Sequence, residues 1–160
     1  MKRIAKFEKI SKENFLSSSD YTEQDYAEYL LPKRATSGSA GYDFFAVKDF
    51  AVAPGETITI PTGVRSKIED GWVLKIYPRS GLGFKYRLTL NNTVGIIDSD
   101  YYYSDNEGHI FIRMTNCGDK LLEVKKGQGF AQGIFLEYGI TYDDDVTSLR
   151  NGGFGSTDKK

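Results

Sequence analysis

Short apolar–polar alternations, each closed by a turn signal, run through most of this chain and limit the folds open to it. Residues 56–60 (ETITI) place Ile58 and Ile60 on one face at period two. Residues 72–76 (WVLKI) do the same with Trp72, Leu74 and Ile76, and residues 109–114 set Ile110, Ile112 and Met114 against Phe111 and Arg113. Residues 130–138 (FAQGIFLEY) are a further candidate strand. Strict alternation marks a half-buried strand, because successive strand side chains point to opposite faces. Pro54-Gly55, Glu69-Asp70-Gly71, Asn116-Cys117-Gly118-Asp119 and Lys126-Gly127 punctuate the runs. Many short strands at close spacing, with turn residues between them, mean an all-β barrel or sandwich. Two segments read as helical. Residues 20–31 have an acid-rich start and Tyr26 and Leu30 four apart, and residues 81–86 form one short turn. Ser17-Ser18-Ser19 reads as a surface loop.

At 160 residues the chain fits one domain and needs no disulfide staple. With 21 basic and 22 acidic residues the net charge is −1, which argues against a dedicated nucleic-acid binder. The single cysteine, Cys117, excludes an internal disulfide or a Cys-rich metal site and reads as a small packing residue. His109 is the only histidine; with no second ligand in view for a zinc site, it reads as a hairpin or strand-edge residue. Residues 1–15 hold charges but no apolar run suited to a signal peptide, and no stretch approaches the length of a membrane span. A cytoplasmic protein without membrane partners is expected.

Five stretches place glycine or polar residues where a strand alone would not need them: SAGYDFF with Asp43; YPRSGLGF with Arg79 and Ser80; NNTVGIIDSDYYY with Asn92, Asp98, Asp100 and Tyr101; GQGFAQGIF with Gln132; and the end, RNGGFGSTDKK, with Arg150 and Phe154. Each has an ordinary reading: Asp-x-Asp is common turn chemistry, PRSG a common turn, and a Gly-rich end a frayed one. Together they supply anion donors, carboxylates, an aromatic surface and an amide. That inventory suits a magnesium-bound nucleotide.

AGYDF, PRSGLG, GIIDSDY, GQGFAQ and RNGGFGST occur in the order found in the trimeric-type dUTP diphosphatases (dUTPases), and the chain resembles that family from Ala40 to Thr157. The resemblance implies a distorted jelly-roll-like β-barrel with little helix. It divides the domain into an N-terminal strand-and-loop or short-helix extension (residues 1–31), the barrel (32–149) and a glycine-rich C-terminal lid (150–160) exchanged between the subunits of a homotrimer. It implies hydrolysis of dUTP to dUMP and pyrophosphate with Mg²⁺, which keeps uracil out of DNA and supplies dUMP. On the matched positions, Asp98 would activate the attacking water. Asn92 and Gly95 would read uracil, Tyr101 would pack under deoxyribose, and Phe154 would cover the base. Arg79, Ser80, Gly81, Gln132, Arg150, Gly155, Ser156 and Thr157 would hold phosphates, and Asp43 would lie near the hydrated metal, acting through water.

The sequence departs from the family pattern in three places. Gly129 stands where a basic residue is usual, YYSDNEGH after Tyr101 is longer than the usual connection, and the segment before Leu31 is extended. The added lengths leave room for a regulatory protein partner. Two rivals remain at this stage: a dCTP deaminase of the same fold, and a dUTP-gated protein-binding module.

Overall fold

The structure is a computed structural model that describes residues 1–150 and 152. Twelve strands carry it in chain order: β1 (Ala5–Lys9), β2 (Lys33–Arg34), β3 (Tyr42–Phe45), β4 (Phe50–Val52), β5 (Thr57–Pro61), β6 (Val64–Ile68), β7 (Trp72–Pro78), β8 (Leu88–Leu90), β9 (Gly95–Ile97), β10 (Phe111–Asn116), β11 (Leu122–Val124) and β12 (Gly129–Glu137). Three short helices, α1 (Lys12–Ser17), α2 (Glu23–Glu28) and α3 (Ser80–Tyr86), and a 3-10 turn (Ser99–Tyr103) complete it.

The strands form one five-stranded sheet in the order β2-β3-β12-β7-β9, one three-stranded sheet β5-β10-β8, and the pairs β1-β6 and β11-β4. Every pairing is antiparallel. The expected mostly-β architecture is present, although the described ladders stay in four sheets and do not close into one ring. The inner faces meet in a core that includes Phe44, Leu74, Ile76, Ile112, Leu122 and Phe130, each no more than 2% exposed. The alternation in residues 109–114 holds: Ile110, Ile112 and Met114 are buried while Arg113 is exposed.

The N-terminal segment is part of the same body. β1 pairs with β6, Ala5 opposite Ile68 and Lys9 opposite Val64. Ser11 caps α1, its hydroxyl accepting the Asn14 N–H at 3.2 Å. Phe15, 0% exposed, stacks on Tyr29 and Tyr21 with ring centroids 4.9 Å apart in both pairs. This aromatic layer lies flat on Gly63, where φ is +73° and an added Cβ would come within 2.9 Å of the Phe15 ring. Only glycine meets both demands there.

Local details differ from the sequence reading. The helix expected over residues 20–31 starts at a Thr22–Asp25 capping box and stops at Glu28, with Tyr29 extended (ψ 147°). Leu31 precedes Pro32, and the residue before proline disfavours the α region. The serine triplet is not simply loop: Ser17 ends α1 and Ser18 caps it. Cys117 is exposed rather than packed, because Asn116 takes the buried position and donates to the carbonyls of Val52 and Lys120, both at 2.8 Å. His109 is 3% exposed rather than at a strand edge, since the loop after Tyr101 folds back over it. The lid expected over residues 150–160, with Phe154, Gly155, Ser156 and Thr157, lies outside the described residues except for Arg150 and Gly152.

Candidate active site

The hairpin from β8 to β9 opens the first cavity. Its turn carries Thr93 at φ +67°, with Thr93 N–H bonded to the Leu90 carbonyl at 3.0 Å and Val94 N–H to the Asn92 carbonyl at 2.7 Å. β9 then pairs with β7, Gly95 opposite Ile76. A Cβ at Gly95 would stand 3.0 Å from the Ile76 Cβ, so a side chain here would push the two strands apart. The resulting cavity of about 370 Å³ is lined by Asn92, Gly95, Asp98, Tyr101, Arg113 and Arg150, among others. That volume suits a small molecule bound by a few polar groups on apolar walls.

Asp98 leaves β9 in extended conformation (ψ 159°) at the head of the 3-10 turn. Arg150 reaches across from the C-terminal segment. Its Nη2 donates to Asp98 Oδ2 at 2.5 Å and its Nε to Asp100 Oδ1 at 2.8 Å. One guanidinium therefore bridges both acids of the Asp-x-Asp stretch, a geometry suited to its planar fork. Tyr101 forms a wall of the cavity and is itself 7% exposed. Its hydroxyl donates to the His109 carbonyl at 2.7 Å and accepts from Asn106 Nδ2 at 2.9 Å. Burial raises the phenol above its ordinary pKa, so it stays protonated and neutral in the neutral range. Its part in the site is shape rather than proton transfer.

The second group of matched residues is built on the large sheet. Gln132 on β12 lies opposite Asp43 on β3 and opposite Tyr77 on β7. Arg79 follows β7 and is the N-cap residue of α3. Its Nε lies 3.3 Å from Asp43 Oδ1. Gln132 Nε2 donates to the Pro78 carbonyl at 3.2 Å. Arg79, Ser80, Gln132 and the exposed Phe84 line an open depression of about 540 Å³. Gly81 is exposed on α3, with nothing within 4 Å of where its Cβ would be. Gly129 explains itself here: a Cβ would come within 2.9 Å of Arg79 Nη1. The guanidinium occupies the space a side chain would need.

Within one chain, then, Asn92, Gly95, Asp98, Tyr101 and Arg150 share the first cavity, while Arg79, Ser80 and Gln132 share the second, and no residue lines both. Among the described residues no group of three His, Cys, Asp or Glu side chains could hold a metal ion by itself. The sequence reading missed the bridge from Arg150 to both acids, Arg113 on the cavity wall, and the Asn106 contact to Tyr101. The last had a signal: Asn two residues before Gly108 is turn chemistry, and Asn106 Oδ1 accepts the Gly108 N–H at 3.1 Å. The sequence alone does not reveal the Arg150 bridge, since it spans about fifty residues.

The dUTPase family model matches residues 27–158. Deoxyuridine 5'-triphosphate nucleotidohydrolase of Lactococcus lactis subsp. lactis is 44% identical over 130 residues, covering 79% of this chain and 87% of that protein. The protein of the same name from Actinobacillus succinogenes is 42% identical over 142 residues, covering 84% and 91%. Among solved structures, dUTPase from Streptococcus mutans superposes with a TM-score of 0.67 at 37% identity, over 84% of this chain and 97% of that one. The dUTPase of phage phi11 of S. aureus, in which a structural Mg(II) ion is coordinated, shares the fold with a TM-score of 0.66 at 19% identity, over 91% and 98%. With the matched stretches gathered into two cavities and the family model spanning both, this chain belongs to the dUTPase family.

Proposed function

We propose that the protein hydrolyses dUTP to dUMP and pyrophosphate, with Asp98 as the general base. The observation that carries this reading is the first cavity: one pocket holds an uncrowded hairpin backbone at Asn92 and Gly95, a neutral buried tyrosine, and a carboxylate at its mouth. The hairpin presents main-chain donors and acceptors to a base edge. Tyr101 gives a flat wall for a sugar without room to spare. Asp98 accepts the proton of a water that attacks the α-phosphorus. The bond from that phosphorus to the oxygen bridging to the β-phosphate breaks, and pyrophosphate leaves. A base positioned this way contributes roughly 10²–10⁴-fold to a rate.

The donor set suits a metal that arrives on the nucleotide. Mg²⁺ keeps several waters and favours phosphate oxygens, and the described residues offer single carboxylates such as Asp43 rather than a cage. The metal supplies charge neutralisation on the triphosphate. Arg79, Ser80, Gly81 and Gln132 contribute phosphate contacts, and Arg150 exchanges its two carboxylates for phosphate when the nucleotide binds. The roles of Phe154, Gly155, Ser156 and Thr157 as a closing segment rest on the motif alone.

The two cavities support an assembly. A nucleotide needs the base pocket and the phosphate donors together, and the two sets line separate surfaces of one chain. In a homotrimer the phosphate set of one subunit completes the base pocket of another. The direct test is product analysis on dUTP, dCTP, dTTP and UTP with Mg²⁺ and then with EDTA, alongside Asp98→Asn. Pyrophosphate from dUTP, lost with EDTA and with Asp98→Asn, is expected. Ammonia from dCTP, or near-wild-type turnover by Asp98→Asn, would refute it.

A further inference from the structure

The two added lengths of sequence, the segment before Leu31 and the YYSDNEGH connection, meet in space, and they meet around Tyr101. Glu107 Oε2 accepts the Ser11 N–H at 2.7 Å, joining the connection to the first helical cap. Burial opposes ionisation of Glu107, yet the hydrogen bonds from Ser11 outweigh it and hold the carboxyl below its ordinary pKa. Glu107 keeps φ +62° to make this contact, a conformation that costs a non-glycine residue roughly 1–2 kcal/mol. Gly108 follows at φ +72°, and a Cβ there would lie 2.7 Å from the Tyr102 Cα, so the loop is pressed against the 3-10 turn.

Two more links run the same way. The Tyr102 hydroxyl donates to Glu8 Oε2 at 2.7 Å, and Arg65 pairs with the same oxygen at 3.2 Å while its guanidinium lies 4.4 Å from the Tyr102 ring centre. Gly63, under the Phe15–Tyr29 stack, donates its N–H to His109 Nε2 at 2.9 Å and accepts from the Tyr29 hydroxyl at 2.7 Å and the Ile10 N–H at 3.0 Å. The carbonyl of that same His109 receives the Tyr101 hydroxyl. Asn106 closes the arrangement. Its Nδ2 donates to the Tyr101 oxygen, its Oδ1 accepts from Gly108, and its carbonyl accepts the His109 N–H at 3.1 Å. The Tyr101 hydroxyl is thus held from both sides by one loop, and that loop is anchored at Glu8, Ser11 and Gly63 to the N-terminal segment.

We propose that residues 104–109 are a clasp that fixes the Tyr101 ring, with Asn106 as its positioning residue, and that the N-terminal segment sets the rejection of a 2'-hydroxyl through this clasp. The proposal rests on reading the first cavity as a deoxyuridine site. A wall excludes one added oxygen only if it cannot yield. A tyrosine free to tilt admits the larger sugar, whereas one held at its hydroxyl by a donor and an acceptor does not. None of the clasp residues named here, apart from Tyr101 itself, lines the cavity. Their effect therefore falls on discrimination more than on turnover of the deoxynucleotide.

The test measures kcat/KM for dUTP and for UTP in the wild type, Asn106→Ala, Tyr101→Phe, the double variant and Glu107→Ala. Asn106→Ala is expected to lower the dUTP-to-UTP ratio about tenfold, the worth of one net hydrogen bond, chiefly by raising activity on UTP, with kcat on dUTP nearly unchanged. Tyr101→Phe removes the same bonds from the other side, so the double variant should lose no more than the larger single loss. Glu107→Ala should shift the ratio in the same direction by less. An unchanged ratio in Asn106→Ala, or a uniform loss on both nucleotides, overturns the clasp. Additive losses in the double variant overturn it as well. Should Asn106→Ala fail to fold, Tyr101→Phe and Glu107→Ala carry the same decision, and an unchanged ratio in both overturns it. A wild type that hydrolyses neither nucleotide, or both equally, refutes the deoxyuridine reading and the proposal with it.

Discussion

Acidification from about pH 7 to about pH 5 should weaken this protein through His109 before any carboxylate titrates. The imidazole is 3% exposed, and its Nε2 accepts the Gly63 N–H at 2.9 Å, so the proton of the neutral ring is on Nδ1. Protonation would set a second donor against the Gly63 donor in a desolvated place. Burial pushes the imidazole down to about 4, only partly offset by the Glu107 carboxylate. The unfolded chain takes up its proton near pH 6.5. Between these values the unfolded state binds one more proton than the native state, so stability falls as pH falls and this loss levels off below about pH 4. Linkage gives a loss of about 2 kcal/mol from pH 7 to pH 5. Glu8, Glu107 and Asp25 are held below their ordinary values, so their losses in stability begin only under about pH 5. Urea unfolding followed by the single tryptophan, Trp72, at one fixed protein concentration measures the change, and His109→Gln is the reference because its amide oxygen accepts from Gly63 without titrating. The wild type should lose about 2 kcal/mol more than His109→Gln over this interval. Equal losses in the two proteins would refute the reasoning.

Other outcomes follow from the same contacts. Asp98→Asn and Arg79→Ala should each be nearly inactive alone, yet their co-expressed mixture should regain activity if the base pocket and phosphate donors come from different subunits; no recovery would place the whole site in one chain. Gly129→Ala puts a Cβ 2.9 Å from Arg79 Nη1, so it should raise KM for dUTP several-fold while thermal stability changes little, which steady-state kinetics beside a melting curve would separate. Phe15→Ala empties a fully buried ring position between Tyr29 and Tyr21 and should cost about 3–5 kcal/mol in urea unfolding.

Period-two alternation and its turn residues determined the all-β character, the positions of β5, β7, β10 and β12, and the two short helical segments, because these are properties of a few neighbouring residues. The order and spacing of the five motifs determined the family for the same reason: the hairpin at Asn92–Gly95 and the Asp98–Tyr101 turn are local structures. What only the tertiary structure decided is which surfaces meet. β12 lies between β3 and β7, so Gln132 joins Asp43 and Arg79 from three separate parts of the chain, and the base pocket forms elsewhere. Cys117 was misread because the buried place beside it is filled by Asn116, which satisfies two distant carbonyls. His109 was misread for a like reason: its burial depends on Gly63 and on the loop folding back from Tyr101. A lone polar residue carries no local mark of the partner that buries it, since desolvation is repaid only by a hydrogen bond from another part of the fold.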